Sequence, residues 1–86
     1  AYRRAVELAP SMEAMHYSLG MLAGRMGQQG SGWYHLGIAL ALRGQYDTAL
    51  GHFQKALPLL AADPTAHADA ERRIAAIERY TAAKRR

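Results

Sequence analysis

The residues best suited to chemistry in this chain are its four histidines, His16, His35, His52 and His67. Histidines hold zinc most readily when two sit one helical turn apart, as in an HExxH pattern, with a further ligand nearby. No HExxH occurs, and no two of the four lie four residues apart, so solvated or groove-lining histidines are the stronger reading. The seven carboxylates are scattered, mostly near helix starts or in i, i+4 pairs such as Asp69 with Arg73. That spacing supports helices and does not pair two acids for proton transfer. Ser11, Ser18 and Ser31 have no nucleophile motif around them, and helix capping explains Ser11 and Ser31 better. The run GQQGSG at 27–32 has the glycines of a phosphate loop but lacks the Lys-Ser/Thr pair and the preceding strand, which leaves a turn between helices. With no cysteine, disulfides and thiolate metal sites are excluded. The chain therefore reads as non-catalytic, with no cofactor and no metal of its own.

Charge narrows the partners. The net charge is +4, and six of the eleven Lys and Arg fall between Arg72 and Arg86. Basic residues at a helix C-terminus complement its dipole and stay solvated. A nucleic-acid surface needs a basic stripe with interleaved aromatics, and here only Tyr80 lies beside that one helix end, so no nucleic-acid partner is expected. No apolar run approaches the roughly 20 residues of a membrane span. The opening AYRRAVELAP has neither Met nor a polar leader, which suggests an excised domain.

The elements that must position these residues are helices. Alanine and leucine dominate, β-branched residues are scarce, and no segment alternates with period two, so the fold class is all-α. Residues 1–86 make a single domain. Tyr2, Ala5, Val6 and Ala9 form an apolar stripe on a helix ending at Pro10. A second helix runs from Met12 to Met26 behind a Ser11 cap, with Met15, Leu19, Leu22, Ala23 and Met26 facing one way. Its four methionines (Met12, Met15, Met21, Met26) default to core packing, and an exposed subset would give an adaptable apolar surface. A third helix spans about Ser31–Arg43, ended by Gly44. A fourth spans about Tyr46–Leu60, with Pro58 stopping or kinking its last turn. Asp63-Pro64 then opens a fifth, capping helix over 64–83, with Ala66, Ala70, Ile74 and Ile77 inward. Connections are short, so neighbours pack antiparallel.

The chain also repeats internally. Setting residues 16–32 over 33–49 aligns Tyr17 with Tyr34, Leu19 with Leu36, Gly20 with Gly37, Gly27 with Gly44 and Gln28 with Gln45. The shift of seventeen is half of a 34-residue helix–turn–helix repeat. Gly37 costs about 1 kcal/mol against Ala in an isolated helix, which close approach of a neighbour would justify. Trp33, Leu36, Gly37, Leu40, Ala49, Phe53 and Ala56 fall at the spacings aromatic-x-x-Leu-Gly-x-x-Leu, eight residues, Ala-x-x-x-Phe-x-x-Ala. In this the chain resembles the tetratricopeptide (TPR) family. The family's later proline would fall at Ala61, where the chain departs. Tyr2, Ala5 and Pro10 resemble the second half of a preceding repeat, and His16, Leu19, Gly20 and Ala23 the first half of another. Both Met12–Met26 and Ser31–Arg43 thus carry first-helix residues, half a repeat out of phase, and one of them plays both parts. More narrowly, residues 17–80 resemble the C-terminal TPR region of bacterial envelope zinc metallopeptidases of the BepA type, whose HExxH domain precedes the repeats.

The resemblance implies a short right-handed superhelical stack of about five helices, located in the periplasm or cell envelope. It also implies a concave groove lined by first helices. By motif position Ser31, Tyr34, His35, Ile38 and Leu42 would line it, with Tyr17, Met21 and Arg25 added from the preceding helix. The Lys/Asn clamp of TPRs that hold a C-terminal carboxylate is absent; Tyr34, His35 and Ile38 stand there and make an apolar-aromatic groove. Partners would be protein or peptide segments, or the catalytic domain of the same parent chain. A free-standing adaptor is the alternative reading, and a nucleic-acid-binding helical domain ranks below both.

Overall fold

The computed structural model describes the backbone of residues 2–84 and the side chains of residues 12–84. These residues form four α-helices and no strand: α1 (Tyr2–Arg25), α2 (Gln29–Leu42), α3 (Tyr46–Ala56) and α4 (Pro64–Lys84), with one 3-10 turn at Leu57–Leu59. The expected helix boundary at Pro10 and cap at Ser11 do not occur, because α1 runs unbroken through both. A proline inside a helix removes one backbone bond and crowds the carbonyl four residues back, but strong helix formers on both sides carry the helix past it. Four α-helices therefore stand where five were expected. The stripe Tyr2, Ala5, Val6 and Ala9 lies outside the described side chains. The expected cap at Ser31 does not occur either: α2 begins at Gln29 behind Gln28, which puts Ser31 inside its first turn. Pro58 ends α3 in the 3-10 turn, and the Asp63 carboxylate caps α4 by accepting the Ala66 N–H at 3.1 Å.

The seventeen-residue period is repeated in the backbone. Gly27 and Gly44 both take left-handed φ, 79° and 83°. The Gln28 N–H donates to Ala23 O and the Gln45 N–H to Leu40 O, while the two glycine N–H groups donate to Gly24 O and Ala41 O. This is the Schellman ending, used twice. Gln28 and Gln45 then take nearly the same conformation, φ −92° ψ 70° and φ −89° ψ 70°, and cap the next helix. Packing repeats with the turns. A Cβ on Gly20 would lie 2.8 Å from Leu36 Cγ, and one on Gly37 would lie 2.8 Å from Phe53 Cε1. Each Leu-Gly glycine thus receives the side chain sixteen residues on, in the following helix. α2 is the helix that plays both parts: it fills the notch of α1 and offers its own to α3.

The helices pack antiparallel in chain order, as the pairings of Gly20 with Leu36, Gly37 with Phe53 and Tyr46 with Tyr80 require. The body measures 42 × 41 × 19 Å. It is flattened along one axis, with two broad faces, and α4 lies over the Tyr34 side of α2. The core sits in α2, α3 and α4: Ile38, Ala49, Phe53, Ala56, Leu60, Ala70 and Ile77, with Trp33, Tyr34, Leu40, Ala66 and Ile74 packed on it. Among its described side chains, α1 adds only Ala23 to the buried apolar residues. Met15, Leu19, Leu22 and Met26 share a face with it as expected, but all four are exposed.

Candidate functional site

The residues expected to form one groove divide between two faces. At about 100° per residue, Ser31, Tyr34, His35, Ile38 and Leu42 share one side of α2, and Trp33, Leu36 and Leu40 the opposite side. The structure seats Tyr17, Met21 and Arg25 with the second group. The reason lies in α1. Its small residues Gly20 and Gly24 meet Gly32 and Leu36 of α2, and Tyr17, Met21 and Arg25 flank that contact on one side while His16 flanks it on the other.

The second face carries an apolar trench. One cavity of about 390 Å³ is lined by Gly20, Met21, Gly24, Arg25, Gln29, Gly32, Trp33 and Leu36. A second, about 240 Å³, is lined by Tyr17, Met21, Leu36, Ala39, Leu40, Arg43, Thr48 and His52. Met21 and Leu36 belong to both and join them. Gly24 leaves space open, since a Cβ there meets nothing within 4 Å, whereas Gly20 and Gly32 let α1 and α2 approach closely at the trench floor, a Cβ on either meeting the other helix at 2.8–3.1 Å. Arg25 stands at one end and Arg43 at the other, the latter paired with Glu13. Lys55 Nζ lies 4.6 Å from the Trp33 ring centroid, and the His52 ring meets Trp33 edge-on at 4.9 Å. The trench is thus apolar along its floor, with Arg25, Arg43 and Lys55 around its rim, the Arg43 charge met by Glu13.

The first face is occupied by the chain's own contacts. His16 and His35 approach Nδ1 to Nδ1 at 3.1 Å, with ring planes 21° apart and centroids 5.3 Å apart. Those values place the rings nearly coplanar and end to end, one nitrogen donating to the other. Zinc ligation would need the two nitrogen lone pairs to converge on one point about 2.0–2.1 Å from each, whereas here they point at each other, so the rings would have to turn. Burial lowers the pKa of both histidines, assisted by the Arg73 charge at His16 and by His16 at His35. Tyr34 donates its hydroxyl to Asp69, which also accepts from Arg73 Nε at 2.6 Å and Arg72 Nη2 at 3.0 Å. Burial alone would raise Asp69, but the hydrogen bonds from Arg73, Tyr34 and Arg72 outweigh it and hold the carboxyl at about 2. Burial and the Asp69 carboxylate push the Tyr34 hydroxyl up. A carboxylate held that low is fixed as an anion near neutral pH and serves as a strut between α2 and α4, not as a base.

Ile38 is 5% exposed and belongs to the core. Its expected place in a groove is thereby corrected: α4 folds over this side of α2. Tyr34 likewise packs 6.2 Å from the Phe53 ring. Leu42 is exposed, and Ser31 lines a separate cavity with Leu59, Leu60 and Asp63. Sequence reasoning missed that Trp33, Leu36 and Leu40 line the trench; glycines on adjoining helices were the available signal. Among the described residues no three His, Asp or Glu side chains cluster as metal ligands, and no helix is long and apolar enough to cross a membrane. Comparison with family models, curated proteins and solved structures returns no match to this chain.

Proposed function

We propose that this chain is a non-catalytic protein-interaction module of TPR-like character, and that the trench between α1 and α2 grips an apolar peptide segment. The observation that carries this is the trench itself: an apolar floor built by Gly20, Gly24 and Gly32, bounded by Arg25, Arg43 and Lys55. Sites of this kind take hydrophobic side chains from an extended or helical segment, and a cationic rim favours acidic flanks. The half-repeat supports the TPR-like reading. The narrower resemblance to BepA-type peptidases would make the module a holder of substrate proteins beside a zinc-dependent protease domain in the cell envelope. A free-standing adaptor would use the same trench, and the parent gene would separate the two by the presence or absence of an upstream HExxH.

The test is fluorescence anisotropy with labelled peptides of about fifteen residues, a Leu-Phe-Val-rich centre flanked by Asp and Glu. Met21 is exposed, so Met21→Asp should leave stability within about 0.5 kcal/mol. Binding should weaken by ~2 kcal/mol, a thirty-fold change. Deleting residues 84–86 should weaken it only slightly and in proportion to salt. If Met21→Asp binds normally while the deletion abolishes binding, the trench reading fails and an electrostatic partner takes its place.

A further inference from the structure

The two ends of the helical layer differ. α4 closes one end, and its outer side is polar or small: Glu71, Arg72, Ala75, Glu78, Arg79 and Ala82 are exposed. α1 forms the other end and packs on α2 alone among the described elements. Its outer side shows Met12, Met15, Leu19, Leu22 and Met26, between 40% and 63% exposed. Their spacing is three, four, three, four, the a/d register of a helix seam. No charged residue interrupts it. This face is distinct from the trench, since Tyr17 and Met21 project from the other side of α1.

We propose that this stripe is a self-association surface, on which α1 of a second copy lies antiparallel. Three features favour a second copy. The pattern is self-complementary, because Met12, Met15, Leu19 and Leu22 are spaced three, four, three, which reads the same reversed and sets Met15 against Leu19 of the second copy. Head-to-tail growth is disfavoured, because the opposite end of the layer presents charges and alanines, so a closed two-fold pair is the geometry available. Antiparallel pairing opposes the helix dipoles and keeps the two Arg25 side chains at opposite ends. The exposed part of the five side chains amounts to on the order of 500 Å² per copy, below the ~800 Å² per partner of a standard interface. The pair is therefore weak and concentration-dependent, with methionine side chains adapting to one another.

Sedimentation equilibrium of the 86-residue chain reads this directly. The mean mass should rise from 9.4 kDa toward twice that value over roughly 10–500 μM. Leu19→Glu and Leu22→Glu should each keep the helical circular dichroism and hold the mass at one chain. The sequence has no cysteine, so engineered ones report orientation cleanly. An oxidised mixture of Met15→Cys with Leu19→Cys should give a crosslinked pair that neither gives alone. A mass fixed at one chain over the whole range, or a dimer that survives both glutamates, would overturn the proposal. A crosslink from Leu19→Cys alone would overturn its antiparallel form.

Discussion

Glycine at 37 and glycine at 51 look alike in sequence, each in the middle of a helix, yet they should respond oppositely to alanine. A Cβ at Gly37 meets Phe53 atoms at 2.8–3.0 Å, in a ring with 0% exposure, whereas one at Gly51 meets nothing within 4 Å. Gly37→Ala should destabilise by about 1–2 kcal/mol, overpacking outweighing the better helix propensity. Gly51→Ala should stabilise by about 0.5–1 kcal/mol. Urea titrations of the two variants check both signs. The histidine pair makes a pH prediction. Both pKa values are lowered from the ordinary 6.5, so the unfolded chain binds protons first as pH falls. Stability is full above about 6.5 and declines as pH drops below it toward the lowered folded values. His16 and His35 face each other, with Arg73 of α4 adding a like charge. Thermal melts between pH 7.5 and 5 should show the decline, and His35→Gln should flatten it. Asp69 adds a second loss as pH falls from 3.8 to about 2.

At the scale of elements, most of the layout was legible. The Gly-Gln pairs marked two turns with the same hydrogen bonds, Asp63-Pro64 marked the start of α4, and Pro58 the end of α3. Pro10 misled, because one missing hydrogen bond does not stop a helix whose neighbours favour it. The site was only half legible. Met21 and Arg25 line one cavity of the trench and Tyr17 and Met21 the other, but Ile38 is core and Tyr34 is tied to Asp69. Periodicity says which residues share a face of one helix; it does not say toward which face the next helix leans, and α4 settles that here. Phe53 is the residue on which the elements converge, since α2 offers it Gly37 and Tyr34 and it is wholly buried. Phe53→Ala should cost about 3–5 kcal/mol. A loss below ~1 kcal/mol in a urea titration would show that the ring does not anchor α3 on α2.

Across the whole molecule, cohesion is unequal. Among the described residues the core lies in α2, α3 and α4, whereas α1 is held through α2 and contributes Ala23. Helices with few buried apolar contacts open first, at free energies below that of global unfolding. Amide hydrogen exchange should therefore be slowest around Phe53 and Ile38 and measurably faster in residues 12–25. If α1 amides are protected as strongly as those of α3, the chain opens as one unit. A small domain has little reserve, so this gradient decides which surfaces are presented when it breathes.

The repeated turn has a further consequence for how such a chain can change length. Because α2 both fills the notch of α1 and supplies one to α3, the modular unit is a single helix of seventeen residues rather than a helical pair. A tandem duplication of residues 29–45 would place a second copy of Leu36 against Gly37 and a second Gly37 under Phe53, leaving each joint chemically familiar. Arrays built this way have no parity rule: an odd number of helices closes as well as an even one. Each added unit would widen the layer by about 8–10 Å and reverse the direction in which the rest of the chain runs.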